Sequence, residues 1–239
     1  MCIRDSSSII LTLFVAFPVM SEINVGISGS IIGFYGEGTE TETNGTQAGA
    51  GPLSPQVTKT SAAGAFEENF NEVFVEYDMG SIILGLSYNP ENIETPENVN
   101  LQSQSDQGTD SFNNTVKAEF ENLLTLYAIV PTPLFGLYGK VGYIQADITT
   151  LEVLGTGGNY PDTDTSGFVA GIGYQQDIGS WFVRAEVLGA MYDDVILDNT
   201  SLQNFGGTAT GASTEATAKR IAVTEMMSAN ATLAVGYSF

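Results

Sequence analysis

The chain reads as a succession of short segments in which apolar and polar residues alternate with period two, and the charged residues keep to one of the two faces. Ile23, Val25, Ile27 and Ile31 share a face opposite Asn24, Gly26, Ser28 and Ser30. Val73, Val75 and Tyr77 oppose Glu72, Phe74, Glu76 and Asp78, and Leu84, Leu86 and Tyr88 oppose Ile83, Gly85, Ser87 and Asn89. Phe120, Leu124, Leu126 and Ala128 are set against Glu119, Glu121, Thr125 and Tyr127; Leu137, Val141 and Tyr143 against Tyr138, Lys140, Gly142 and Ile144. The same beat returns at Phe168–Gln175, Trp181–Leu188 and Thr232–Phe239. Period two is the signature of strands with differently solvated faces, so the pattern predicts eight strands and no helical core. The stretch Glu215–Ser228 also fits a helical stripe and is read as the end of a loop and the upper half of the last strand.

The connections alternate in length. Asp78–Ser81, Pro131–Gly136 and Asp177–Ser180 are tight, whereas Gly36–Ala65, Pro90–Asn114, Thr149–Thr165 and Asp194–Ala218 are long and rich in Gly, Thr, Asn and acid. In an up-and-down meander this places four long loops at one end and three tight turns at the other. Two turns repeat a phrase, Asp78-Met79-Gly80-Ser81 and Asp177-Ile178-Gly179-Ser180, with glycine where a hairpin needs positive φ. The uncharged run Asn122–Gly139 approaches membrane-spanning length, but Pro131, Pro133 and Gly136 interrupt it. It is read as two strands meeting at a turn.

Composition excludes several function classes. The 239 residues carry 28 Asp plus Glu against 7 Lys plus Arg, a net charge of −21; nucleic-acid binding, which needs clustered cations, is excluded. There is no histidine, which removes His-dependent nucleophiles, proton relays and metal sites. The single cysteine, Cys2, allows neither an intrachain disulfide nor a cysteine metal cluster. Asp162-x-Asp164-x-Ser166-Gly167 resembles the opening of a calcium loop, but Gly173 stands where the closing Glu belongs; it is read as an acidic loop tip, and no metal or cofactor is expected. The sequons at Asn44, Asn113, Asn199 and Asn230 are read as chance. Residues 1–21 have a polar start, an apolar run over Ile9–Met20 and short residues near Ser21. That is the layout of a removable signal peptide, leaving 22–239 as one domain.

An eight-stranded antiparallel barrel can be soluble, with apolar residues inside, or membrane-spanning, with them outside. The charges discriminate. Glu72, Glu76, Glu119, Lys140, Arg184 and Glu186 lie on the face of small and polar residues, while the other face is almost uncharged at mid-strand. A Lys or Arg aimed at midplane lipid costs roughly 2–4 kcal/mol, so these six are expected to form a polar network within the lumen. Tyr77, Phe135, Trp181, Tyr237 and Phe239 near the tight turns, and Tyr35, Tyr88 and Tyr192 near the long loops, fit the aromatic belts of the two membrane interfaces. The last strand is expected to pair with the first near Ile23, leaving no edge exposed.

In strand pattern, loop asymmetry and the ending Leu233-x-Val235-x-Tyr237-x-Phe239, the segment from Glu22 to Phe239 resembles the eight-stranded outer-membrane barrels of Gram-negative bacteria, the OmpA/OmpX-like class. The resemblance implies an all-β, closed, eight-stranded antiparallel up-and-down transmembrane β-barrel in the outer membrane. It implies contact with membrane lipid and lipopolysaccharide, and recognition of Leu233, Val235, Tyr237 and Phe239 by the barrel-assembly machinery. The periplasmic peptidoglycan-binding domain of that class is not expected here. The expected function is non-enzymatic: a structural barrel whose acidic loops make surface contacts or adhere, with no particular loop partner indicated. The alternatives are a narrow porin-like or OmpW-like channel for small or hydrophobic solutes, and a soluble ligand-binding barrel. An outer-membrane enzyme is disfavoured because similar small barrels that act as acyltransferases, phospholipases or proteases use a catalytic histidine.

Overall fold

The computed structural model describes residues 22–44, 56–96, 98–103, 111–153, 160–199 and 217–239; the expected signal peptide lies outside them. Eleven strands follow in order: β1 (Glu22–Asn44), β2 (Gln56–Asp78), β3 (Ile83–Tyr88), β4 (Ile93–Glu94), β5 (Asn98–Ser103), β6 (Ser111–Pro131), β7 (Leu137–Val153), β8 (Thr163–Ile178), β9 (Trp181–Tyr192), β10 (Val195–Asn199) and β11 (Thr217–Ser238). All pairings are antiparallel, and the ladder β1–β11 closes the ring. Two staves are interrupted. β3, β4 and β5 follow one another along the same flank of β6, broken where Pro90 and Pro96 remove ladder donors. β9 and β10 likewise follow one another along β11. Counted by staves, the ring is an eight-stranded up-and-down barrel.

Closure is direct. Asn24 faces Ser238, and the Phe239 amide donates to the Ile23 carbonyl at 3.0 Å. The three tight turns carry glycine in the left-handed region, at Gly80 (φ 81°), Gly136 (φ 72°) and Gly179 (φ 68°). At the first, the Asp78 carboxylate also accepts from the Gly80 amide at 2.6 Å, an Asx-type turn.

Side chains alternate as the period-two pattern predicts. Ile27 (65%), Ile172 (64%), Val187 (61%) and Leu233 (68%) stand open on the outer wall, whereas Glu76, Lys140, Arg184 and Glu186 are buried inside. Trp181, Tyr237 and Phe239 form an edge-to-face chain near the tight turns, with ring centroids 5.1 and 4.9 Å apart. An apolar exterior around a charged interior is the inverse of a water-soluble barrel, and it is the sidedness of a barrel that stands in lipid. The soluble alternative fails on this observation. Inside, glycine makes way for bulk: a Cβ on Gly236 would lie 2.1 Å from the Phe182 ring, and one on Gly85 would lie 2.3 Å from Tyr127.

Two β-bulges shift the register, one between Glu121 and Leu124 on β6 and one opposite Tyr35/Glu37 on β11. Each holds a non-glycine residue at positive φ, Asn122 (53°) and Glu225 (54°). One extra residue reverses the face of everything beyond it. Four corrections to the sequence reading follow. Phe120, expected on the outer wall, packs inside. Glu119, expected in the lumen, lies on the outer face beside Glu94, to which it is paired across the ladder. Tyr192, expected in the aromatic belt, points inward and shares a hydrogen bond with Ser228 at 3.1 Å. Finally, much of the expected long loops is strand. β1 and β2 remain paired up to Asn44↔Gln56, so Gly36–Ala65 is largely a hairpin rather than a loop.

Candidate functional site

The interior has two layers. The lower one, nearer the tight turns, is ionic. β9 places Arg184 and Glu186 two residues apart on the inward face, while β2 contributes Glu72 and Glu76 and β7 contributes Lys140. Arg184 grips Glu76 with both terminal nitrogens, Nη2 lying 2.8 Å from Oε2. Its Nε donates to Gln175 at 2.6 Å. The Glu76 carboxylate also accepts from Tyr127 at 2.8 Å and from Asn24 at 3.2 Å. The guanidinium carbon lies 4.4 Å from the centre of the Phe182 ring, a cation–π contact in a dry site. Beside it, Lys140 donates to Glu186 at 2.8 Å and Tyr138 donates to the same carboxylate at 2.6 Å. Glu72 accepts from Ser87 at 2.9 Å and from Ser28 at 3.4 Å.

Five of the six residues singled out from sequence therefore share the lumen: Glu72, Glu76, Lys140, Arg184 and Glu186. Glu119 does not. The pocket lined by Glu72, Lys140, Arg184 and Glu186 is about 10 Å³, barely room for one water. The layer ties opposite walls of the barrel together and fills much of its axis.

The upper layer is apolar and went unnoticed in the sequence. Above the ionic residues, Ile32, Phe34, Phe70, Ile93, Leu123 and Ile144 form a buried cluster. Higher still, Ile148, Tyr160, Val195 and Leu197 form another. Between and above them lies a half-open cavity of about 580 Å³. Its floor is an aromatic stack: Phe34 lies 5.0 Å from Phe66 and 5.7 Å from Phe120, with near-parallel rings.

The strand pairing explains why the cavity exists. β2 pairs with β3 only from Val73 to Asp78. Above Val73 its described ladder is with β1 alone, because β4 and β5 pair with β6. On the opposite side, β8 and β9 part above Gly167↔Tyr192, and β10 pairs with β11. Beyond the lipid belt the cylinder thus divides into two sheets, β10–β11–β1–β2 and β5/β4–β6–β7–β8, which face each other across the cavity.

Around this mouth the outer surface is acidic and hydrogen-bonded. Asn71 donates to Glu91 at 3.2 Å, Asn122 to Asp147 at 2.8 Å, and Ser166 to Asp193 at 2.5 Å. Lys117 is paired with Glu94, and Arg220 grips Asp198 with Nε at 2.6 Å and Nη2 at 2.9 Å. The Arg220 hydrogen bond holds the Asp198 carboxyl below the usual carboxylate range. Glu119 is shifted upward, first by desolvation and then by the neighbouring Glu94 carboxyl. Among the described residues no group of three or more His, Cys, Asp or Glu is placed to hold a metal ion. The calcium-like phrase is drawn out along β8, where Asp164 faces Asp147 across the ladder.

No family model matches the chain, and no curated protein matches it. Among solved structures it is similar to Neisserial surface protein A (10% identity, 87% of this chain and 97% of that one, TM-score 0.37). It is also similar to Ail, the attachment invasion locus protein of Yersinia pestis (12% identity, 90% and 99%, TM-score 0.29). A third is the outer membrane protease OmpT from Escherichia coli (10% identity, 91% and 97%, TM-score 0.37).

Proposed function

We propose that this chain is a non-enzymatic integral barrel of the Gram-negative outer membrane, which holds a strand-built upper half above the lipid for contacts at the cell surface. The observation that carries this is the β1–β2 ladder, which runs unbroken from Glu22↔Asp78 to Asn44↔Gln56, well past Tyr35, the last exposed large apolar residue of β1. A β-strand needs only about 9–11 residues to span a membrane, and β1 has 23. The excess projects a stiff, acidic hairpin into the medium. The wall would meet lipid and lipopolysaccharide. The outward row Leu233, Val235, Tyr237 and Phe239 is the feature that the barrel-assembly machinery would read. The absence of histidine from the sequence supports a non-enzymatic role.

The test is topological. With Ser61→Cys on the projecting hairpin, opposite Thr39, and Ser81→Cys at a tight turn, a membrane-impermeant maleimide should label the first on intact cells. It should reach the second only after the outer membrane is permeabilised. The reverse pattern, or labelling of both on intact cells, would overturn the reading. The channel alternative is disfavoured by the ionic layer; clear unitary conductance steps from folded protein in a planar bilayer would reinstate it.

A further inference from the structure

We infer that the cavity between the two upper sheets is a binding site for a small, uncharged, apolar molecule. The inference goes beyond the display role and does not depend on it, because the cavity is defined by this chain's own walls. Three observations fix the chemistry of the occupant. First, the size, about 580 Å³, lies within the range of small-molecule sites. The floor offers the stacked rings of Phe34, Phe66 and Phe120, with centroids 5.0 and 5.7 Å apart, which suit a flat or extended apolar body.

Second, the lining is mostly apolar, and its polar side chains are engaged with neighbours. Thr150 Oγ1 donates to the Tyr160 carbonyl at 3.0 Å, Thr95 Oγ1 accepts from the Ala118 amide at 2.9 Å, and Lys117 is held by Glu94. A carboxylate or phosphate entering the cavity would meet mostly apolar walls and would have to compete with Glu94 for Lys117. Third, the surrounding charge is mostly acidic. Glu37, Glu67, Glu91, Glu94, Glu119 and Glu225 occupy the two upper sheets and the segment joining β3 to β4, against the cations Lys59, Lys117, Lys219 and Arg220 on the same sheets, so the net field disfavours anions on approach. Among the described residues no Asp or Glu lines the cavity, so a cation would find no counter-ion among them.

The geometry also supplies a way in and a stop. Above Val73 the described ladder of β2 is with β1 alone, leaving that flank free of backbone pairing towards β4 and β5. Below, the ionic layer leaves about 10 Å³. A molecule that enters meets this tightly packed layer beneath it.

The experiment uses the full mature chain in phosphatidylcholine nanodiscs, with N-phenyl-1-naphthylamine as a neutral probe and 8-anilino-1-naphthalenesulfonate as an anionic analogue of similar size. The expected result is a saturable, one-to-one fluorescence component that empty nanodiscs lack. Two variants fill the space from opposite walls. Gly36→Leu starts from a position where a Cβ makes only ordinary contact with Met226 and Val223, at 3.5 and 3.6 Å; Ala118→Phe enters from the facing sheet. Each should weaken neutral-probe binding at least about tenfold, equivalent to roughly 1.4 kcal/mol, while still showing the heat-dependent gel shift of a folded barrel. The sulfonate should bind at least about tenfold more weakly than the neutral probe, by the same arithmetic. Three results would overturn the inference: no saturable component above empty discs, as when the chain's own connecting segments fill the space; unchanged affinity in both filled variants; or equal binding of the sulfonate.

Discussion

Arg184 and Glu76, 108 positions apart in sequence, meet in the lumen as a two-point ion pair with Nη2 2.8 Å from Oε2. Arg184 is 2% exposed and Glu76 is equally enclosed. Removing one partner of such a pair leaves the other charge buried and uncompensated, which costs about 3–5 kcal/mol. Replacing both by apolar residues of similar volume is far cheaper. Arg184→Met alone should therefore destabilise the barrel by about 3 kcal/mol or more, and Glu76→Leu combined with Arg184→Met should recover most of that loss. Urea unfolding from lipid vesicles reads both. A single variant within about 0.5 kcal/mol of the parent would place it with ordinary surface changes and would mean that the pair is solvated.

The outer wall makes the opposite demand. Ile172 on β8 and Val187 on β9 face each other across the ladder and are 64% and 61% exposed. Within lipid that exposure is to acyl chains. Ile172→Arg should cost roughly 2–4 kcal/mol of folding free energy into a bilayer, whereas Ser61→Arg, opposite Thr39 and beyond the belt, should cost close to nothing. If both substitutions cost the same, the wall at Ile172 is not in lipid.

The contrast between these walls was legible in the sequence because an eight-strand lumen is narrow. Inward positions must be small, or polar and paired, and the alternation of Asn24, Gly26 and Ser28 against Ile23, Val25 and Ile27 shows it directly. Glu119 was misplaced because the bulge at Asn122 shifts the period by one residue. The apolar pair Leu123-Leu124 marks the site, and Met226-Met227 marks the bulge on β11, but Ile31-Ile32 and Ile82-Ile83 are equally adjacent and carry no bulge. Doublets alone do not diagnose one. The upper halves of β1 and β2 were hidden for a different reason. Glu37, Thr39 and Thr41 alternate with Gly36, Gly38 and Glu40, and a strand that is polar on both faces leaves no hydrophobic period. The apolar cavity is hidden in the sequence because the lower inward positions of the same strands are small or polar. Ile32 and Phe34 continue the inward parity of Ser28 and Ser30, and this change of polarity within one parity was the available signal.

The three turn glycines separate conformational strain from steric clash. Gly80 and Gly179 have φ of 81° and 68° with nothing within 4 Å of an added Cβ. Gly80→Ala and Gly179→Ala should each cost about 1–2 kcal/mol, the penalty for an L-residue in the left-handed region. Asn should cost less, since it tolerates that region. Gly136 has φ of 72°, and its Cβ would also lie 2.3 Å from the Gln175 carbonyl oxygen. Gly136→Ala should therefore be the most damaging of the three, and Asn should not rescue it. Stability ranked by urea midpoint tests this order. Equal costs at all three positions would show that the Gly136 turn relaxes freely.

At the mouth, Asp198 and Arg220 face each other directly in the β10–β11 ladder, and the Arg220 hydrogen bond lowers the Asp198 pKa. A carboxylate depressed in the folded state stabilises above its unfolded pKa, about 3.9 for Asp, and that contribution disappears as pH falls through the lower folded value. Both side chains are exposed, so the effect is local and salt-sensitive. Amide exchange of Leu197, corrected for the intrinsic rate, should therefore lose protection as the medium is acidified into that range. In Arg220→Gln the Asp198 carboxyl should titrate at higher pH, and the acid-dependent loss of protection should flatten. Carbon-13 titration of Asp198 in the two proteins decides the matter: identical titration curves would mean that the pair does not persist in solution and that β10 is held to β11 by its backbone ladder alone.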